Sequence, residues 1–198
     1  MPFQQWRGIF ALKCITAIMI DVPTHHIVYG TLNDFITGEE LPDTDDERTR
    51  QGLSKMMVED LGYKKEDLEP RRFIETLFSS QFVRSNIELT VNLGDKNFMI
   101  IRYAPGSLVT RERSAVAAAR VLEKEYQIPL AVITNGQDAE LLNTANGKVL
   151  ATGMDAIPTR MQAEEMLADL DFRNAPEGKK REGELRILNA FDVQICCR

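Results

Sequence analysis

The segment NIELTVNLGDKNFMIIRY, residues 86–103, decides most of the fold. Residues 86–93 alternate between polar and apolar side chains, which is the pattern of a strand with one buried face. Gly-Asp-Lys-Asn at 94–97 is typical of a hairpin turn. Residues 98–103 are apolar on both faces, as in a strand covered from both sides. We therefore predict a β-hairpin whose second strand is buried.

The segment that follows predicts a crossover. Residues 111–126 have the apolar spacing of a helix, Pro129 interrupts it, and residues 130–134 form a short buried strand. A helix of this length can return the chain so that the strands at 98–103 and 130–134 run parallel. We expect an α/β fold with a mixed central β-sheet flanked by helices and a helical C-terminal extension.

Turn and capping signals predict the remaining elements. Thr44 and Glu47 form a capping box that begins a helix over 45–61, and Gly62 ends it. The other predictions are a small hairpin within 25–38, a weak strand at 73–78, a strand at 139–143 turning into 149–150, a helix from Thr159 through Leu170, a linker or exposed loop at 174–183, and a short terminal helix at Leu185, Leu188 and Phe191. We divide the chain into an arm and hairpin (1–40), the core (41–158) and the extension (159–198).

Composition excludes several classes of protein. The chain has 198 residues, is 43% hydrophobic and carries a net charge of −6, so its overall field would not hold it to nucleic acid. The three cysteines, Cys14, Cys196 and Cys197, are too few for a disulfide framework and favour the cytoplasm. Lys13 splits the apolar stretch at 8–22, which matches a signal peptide poorly, and no apolar run predicts contact with a membrane.

Familiar catalytic motifs are absent from the sequence. It contains no glycine-rich phosphate loop and no Gly-x-Ser-x-Gly elbow. His25 and His26 are adjacent, so their side chains diverge and make a poor metal pair. Cys196 and Cys197 suit a soft metal or a frayed terminus equally well.

An ordered set of short segments carries a resemblance. The segments are Asp45–Gln51, Leu61–Tyr63, Asp67–Glu69, Arg84–Ile87, Met99–Gly106 and Val132–Gly136. Over residues 30–155 the chain resembles the N-terminal domain of type I restriction enzyme R subunits, in a stand-alone form. The resemblance implies that the core is restriction-endonuclease-like, with the PD-(D/E)XK nuclease fold. It also implies an activity that cuts DNA with Mg²⁺, which an Asp on one strand and a Glu-x-Lys on the next would hold.

This sequence departs from that catalytic pattern. Asn86 stands where the family has Asp, Ile101 where it has Glu, and Tyr103 where it has Lys. Because Mg²⁺ needs charged oxygens to offset its dehydration, we expect these positions to bind it poorly, and we predict no cofactor. A shift of register would bring Arg102 near the Lys position without restoring the Glu.

Two other carboxylates could substitute for the missing ones. Glu88 shares a strand face with Asn86, and Glu47 lies on the first helix, where many family members add an acidic ligand. The alternative is that Glu88 is a solvated strand residue and that Glu47 belongs to the capping box, and we favour it. Mg²⁺ or Mn²⁺ would be a cofactor only if the substitutes form a site.

A basic cluster is the candidate nucleic-acid interface. Residues 102–124 have a net charge of +3 on an acidic chain. The candidate contacts are Arg111, Arg113, Arg120 and Lys124. The alternative is a solvated helix with intrahelical pairs. The basic residues Lys179, Lys180 and Arg181 we assign to a solvated loop.

Three functional hypotheses remain. The first is a catalytically degenerate nuclease-fold domain that acts as a DNA-binding or interaction module. The second is an active variant endonuclease that uses Glu47, Glu88 and Asn86 with Mg²⁺ or Mn²⁺. The third is an accessory protein that contacts another protein subunit and has no role with nucleic acid. A homo-oligomer is compatible with all three.

Overall fold

The computed structural model describes residues 27–193 of the chain. The predictions for His25 and His26, the cysteines and the segment 8–22 lie outside the described residues. The strands are β1 (Thr31–Asn33), β2 (Glu40–Pro42), β3 (Leu68–Phe78), β4 (Gln81–Asn92), β5 (Asn97–Tyr103), β6 (Leu130–Thr134), β7 (Ala139–Asn143) and β8 (Val149–Thr152). The α-helices are α1 (Asp45–Glu59), α2 (Glu112–Val121), α3 (Arg160–Met166) and α4 (Gly178–Phe191).

A mixed six-stranded sheet organises the fold. Its strand order is β3-β4-β5-β6-β7-β8, and β1 and β2 form a separate two-stranded sheet. Strands β5 and β6 run parallel, with Ile101 opposite Val132, and α2 connects them. The neighbouring strands in the rest of the sheet are antiparallel. The predicted mixed sheet, the crossover and the hairpin at 86–103 are therefore confirmed.

Two apolar layers cover the sheet. On one face α1 and α3 contribute Met57 and Ala163 to a cluster that includes Ile101. On the other face α2 and α4 pack against Ile100 and its neighbours, with Leu188 fully buried. Since Ile100 and Ile101 are both fully buried, β5 is covered on both faces, as its sequence predicts.

Strand β4 changes the face that it buries. Leu89 packs in the α1 layer, whereas Ile87 packs in the α2 layer, so the prediction that both share one buried face is wrong. The ladder with β3 has no pair at Arg71 and Glu88, and Arg71 has a φ of 59°. A local distortion of the edge strand at this point explains why the strict two-residue period fails.

The C-terminal segment is more helical than predicted. Helix α4 begins at Gly178, so the predicted loop at 174–183 is wrong in its second half. Arg181 donates from Nη2 to the carbonyl oxygen of Val121 at 3.0 Å, which joins the start of α4 to the end of α2. Helix α2 ends there, earlier than predicted. The three-part division of the chain stays a prediction, while α4 packs directly on α2, β3 and β4.

The other elements differ from expectation mainly at their ends. Thr44 Oγ1 accepts from the Glu47 amide at 3.2 Å, and α1 begins there as predicted. The small hairpin is present: β1 lies within the predicted range 25–38, and β2 lies just beyond it. The turn at 143–149 joins β7 to β8 as predicted. None of the helices between residues 27 and 193 is long and apolar enough to cross a bilayer.

Candidate functional site

A cleft of about 330 Å³ opens where β4 and β5 stop pairing. The last paired residues are Leu89 and Ile101. Beyond them the two strands separate, and the start of α1, the start of α2 and the end of α4 complete the walls. The polar side chains that matter most for its chemistry are Asn86, Glu88, Arg102, Ser114 and Asp192.

Glu88 lies at the point where the strands separate. Its side chain is buried, and Oε2 accepts from the Tyr103 amide at 2.8 Å, so a carboxylate replaces the next strand-to-strand contact. Burial raises the pKa of Glu88, and the nearby Arg102 guanidinium and the Tyr103 amide partly oppose that rise. The interpretation of Glu88 as a solvated strand residue is therefore wrong, because the strand distortion turns it inward.

Arg102 ties three elements together inside the cleft. Its Nη2 lies 3.0 Å from Asp192 Oδ2, its Nε donates to the Asn86 carbonyl oxygen at 2.9 Å, and its Nη1 donates to Ser114 Oγ. Ser114 in turn donates to Asp192 Oδ1 at 2.7 Å. Arg102 and Asp192 are 10% and 8% exposed, so their ion pair is shielded from water. Each of the three guanidinium nitrogens of Arg102 therefore donates to a group of the protein.

Glu47 is held by its own helix. Its side chain accepts from Arg50 and from Gln51 Nε2, the latter at 2.7 Å. Its backbone amide donates to Thr44, but its carboxylate does not complete the capping box, so that part of the prediction is wrong. Burial raises the pKa of Glu88, and the charge of Arg50 partly opposes that rise. Both substitute carboxylates therefore lie in the field of the same guanidinium.

Two of the three positions that the resemblance assigns to the catalytic pattern line the cleft, and the third does not. Asn86 is exposed and lines the cleft, and Tyr103 is half-buried at its edge. Ile101 is fully buried in the α1 layer and does not line the cleft. Only two of these positions could contact a ligand in the cleft.

The donor set of the cleft does not fit Mg²⁺. Within residues 27–193, no three histidine, cysteine or acidic side chains form a group that could hold a metal ion. Asn86 offers a neutral oxygen, and Asp192 is bound by Arg102 and Ser114. Mg²⁺ favours several accessible oxygens, including carboxylates. The roles assigned to these residues, with or without a metal, stay predictions.

The predicted basic cluster is divided between two surfaces. Arg111 lines the cleft and donates to the Phe191 carbonyl oxygen. Arg113 is exposed, with its guanidinium 5.8 Å from the centre of the Phe191 ring. Arg120 pairs with Glu184 at 2.8 Å, and Lys124 is exposed beyond the end of α2. The sequence cluster is therefore not one continuous patch, and its contact with DNA stays a prediction.

The distal half of the β3–β4 hairpin has an exposed apolar face. Leu77 and Phe82 are paired across the strands and are 67% and 60% exposed. Phe73 lies on the same hairpin, beneath the Arg84 guanidinium at 4.5 Å. This exposed face is not among the sequence predictions, although three large apolar residues, Phe73, Leu77 and Phe82, could have indicated it. Contact with another subunit, or a homo-oligomer, stays a prediction.

Sequence reasoning also missed Asp192 and Ser114. Asp192 is 90 residues from its partner Arg102, so no local pattern connects them. Ser114 lies in the first turn of α2, where a small polar residue is unremarkable. Only the packing of α4 against α2 brings these side chains to the cleft.

One of three comparisons with known proteins finds a match for this chain. A family model described as "Type I restriction enzyme R protein N terminus" matches residues 45–158, which run from the start of α1 to just before α3. No curated protein matches the chain, and no solved structure matches it. The matched segment includes β4, β5 and α2, and it ends before Asp192. Because the match covers more than half of the sequence, the chain belongs to the family of type I restriction enzyme R protein N-terminal domains.

Proposed function

We propose that this nuclease-related domain binds the nucleic-acid backbone and does not hydrolyse it. The observation that carries the proposal is the shielded ion pair between Arg102 and Asp192 in the cleft. The guanidinium of Arg102 supplies the positive charge beside Asp192. A metal-dependent nuclease would need a metal cation in this place. Glu88, the other buried carboxylate of the cleft, lies in the field of the same guanidinium.

The energetics oppose a metal in this cleft. A guanidinium stays protonated at every physiological pH, so Arg102 would repel a divalent cation bound to Glu88 or Asp192. Breaking a buried ion pair by removing one partner costs about 3–5 kcal/mol. A metal ion would have to offset that cost as well as its own dehydration. The charge of Arg102 and the cost of breaking its ion pair therefore favour an inactive domain over a variant endonuclease that uses Glu47 and Glu88.

Family membership supports nucleic acid as the ligand class. The acidic chain would need a local concentration of positive charge to bind it. Arg113 and Lys124 are both exposed and basic, so the predicted cluster retains cations that solvent can reach. A domain of this kind would contribute affinity to a DNA-processing assembly while another component does the chemistry.

Two assays on the purified chain test the proposal. Supercoiled plasmid is incubated with the protein in Mg²⁺ or Mn²⁺, and calorimetry measures the binding of Mn²⁺. We expect no cleavage and no measurable metal binding at millimolar concentration. The variant Glu88→Gln tests the cleft, and Glu75→Gln, an exposed carboxylate on β3, is the matched control.

Two results would contradict the proposal. Metal-dependent cleavage that Glu88→Gln abolishes and Glu75→Gln retains would establish the variant endonuclease. Failure of the wild-type chain to bind duplex DNA at low salt would refute the binding half and leave the accessory-protein hypothesis.

A further inference from the structure

A groove runs along the solvent side of the α2–α4 pair. It consists of two depressions of about 230 Å³ and 390 Å³. Both depressions are lined by Arg120, Glu184 and Ile187, so they are continuous. The turn between β7 and β8 closes one side at Ala145, Asn146 and Gly147. We name this surface, from Arg113 to Lys179, the α2–α4 groove.

The two helices are antiparallel, which places the groove's ends far apart in sequence. The start of α2 meets the end of α4, where Arg111 bonds to Phe191. The end of α2 meets the start of α4, where Arg181 bonds to Val121. Arg120 is seven positions after Arg113 on α2, so this part of the groove is about 10 Å long at 1.5 Å per residue.

The groove is basic on an acidic protein. Five basic and two acidic side chains line it, a net charge of +3, whereas the whole chain carries −6. The basic residues are Arg113, Arg120, Arg173, Lys179 and Lys180, and the acidic ones are Glu112 and Glu184. The fold therefore joins two basic segments, one on α2 and one at the start of α4, that the sequence separates by more than fifty residues.

The cations of the groove are not equivalent. Arg120 is neutralised by Glu184 at 2.8 Å, and Arg173 pairs with Asp171 at 2.6 Å. Arg113, Lys179 and Lys180 are exposed, and none of the ion pairs within residues 27–193 includes them. Free cations thus lie at both ends of the groove, and a neutral pair lies at its centre.

We propose that the α2–α4 groove, and not the cleft between β4 and β5, binds the phosphate backbone of duplex DNA. This inference rests on the proposed function and assigns the surface that performs it. A backbone strand presents one phosphate per 3.4 Å of axis, so about three phosphates span the 10 Å between the ends of the α2 segment. Exposed Lys and Arg are the residues that contact phosphates without reading sequence.

The cleft is less suited to the same ligand. Its basic residues Arg84, Arg102 and Arg111 face an equal number of acidic ones, Asp46, Glu88 and Asp192. Arg102 is buried and paired, and Arg84 pairs with Glu75 at 2.7 Å. A phosphate entering the cleft would meet no net positive charge. The groove offers the local excess that counterion release requires.

Salt-dependent binding of a fluorescein-labelled duplex, followed by anisotropy, tests the location. Three phosphate contacts predict a slope of log affinity against log salt of about −3. The variant Lys179→Gln/Lys180→Gln is expected to make that slope shallower by about 2, because each lysine that contacts a phosphate contributes about 1. The matched control is Lys64→Gln/Lys65→Gln, another exposed adjacent pair, at the 3-10 turn before β3. Circular dichroism verifies that all variants fold.

The outcomes separate this inference from the proposed function. A shallower dependence of log affinity on log salt in the groove variant, with no such change in the control, supports the groove. Equal losses in the groove variant and the control overturn it, because the contact would then be diffuse. Binding that survives the groove variant but is lost in Arg84→Gln would move the site to the cleft, which refutes the groove and keeps the proposed function. No binding by the wild-type chain refutes both.

Discussion

The cleft and the α2–α4 groove use the same kinds of residue in opposite ways. In the cleft, Arg102 is buried and pairs with Asp192. In the groove, Lys179 and Lys180 are exposed and lie in a local excess of positive charge. An acidic side chain that packs against a basic residue lowers the net positive charge that the residue offers to a ligand. The net charge of a sequence segment does not decide this; the packing of α4 does.

We expect the largest change in the free energy of unfolding when the ion pair of the cleft is broken. Arg102→Met should lower the free energy of unfolding by about 3–5 kcal/mol, because it leaves Asp192 buried without its partner. Urea denaturation followed by circular dichroism measures this change. Arg84→Met is the matched control at the mouth of the cleft, where an exposed pair with Glu75 is worth less than about 1 kcal/mol. Equal losses in the two variants would show that the cleft pair does not hold the fold.

An intermediate effect is expected at the centre of the groove. Arg120→Gln removes the pair with Glu184 and a 2.9 Å hydrogen bond to the Thr144 carbonyl oxygen, and it should cost about 1–3 kcal/mol of stability. Lys179→Gln/Lys180→Gln should change stability by less than about 0.5 kcal/mol. Thermal unfolding of both variants gives the comparison. If the lysine variant loses as much stability as Arg120→Gln, the lysines are structural and the contrast between the two surfaces fails.

The smallest expected effect is a pH dependence in the cleft. Burial raises the pKa of Glu88 above its usual value of 4.5, so the folded state binds this proton more tightly than the unfolded state does. The contribution of Glu88 to wild-type stability therefore falls as pH rises above about 4.5, the ordinary pKa of the group, until Glu88 is ionised in the folded state. The variant Glu88→Gln cannot ionise at this position, so it does not lose stability in this way. Its amide oxygen can still accept from the Tyr103 backbone amide.

The free energy of unfolding of Glu88→Gln minus that of the wild-type chain should consequently increase with pH. Urea midpoints taken from about pH 4 to about pH 8, a range that begins just below the ordinary pKa and extends well above it, measure it. Glu75→Gln controls for the loss of one negative charge. A difference that stays constant or shrinks as pH rises would contradict the buried position of Glu88.

The periodic elements could be read from the sequence because their signals are local. The capping residue Thr44 and the helical spacing of Leu53 and Met57 place α1 correctly at its start. Residues 98–103 are apolar on both faces of the predicted strand, and β5 is indeed covered on both faces. The ordered segments of the resemblance led to the family that matches residues 45–158.

The errors share a physical cause, since they occur where distant elements meet. Glu88 looks like a solvated strand residue, but the distortion opposite Arg71 turns it inward. Residues 178–183 look like a charged loop, yet Arg181 bonds to the end of α2 and the segment is helical. Neither outcome depends on neighbours in the sequence, so no periodicity could reveal it.

The sequence by itself determined the mixed sheet, the crossover and the presence of Asn and Ile, which carry no carboxylate, at positions 86 and 101. These follow from side-chain period and residue type, which act over a few neighbouring residues. Only the tertiary structure decided which cations are free. It packed Asp192 onto Arg102 and brought Lys179 beside the surface of α2, because the antiparallel docking of α4 sets those distances and nothing along the chain encodes them locally.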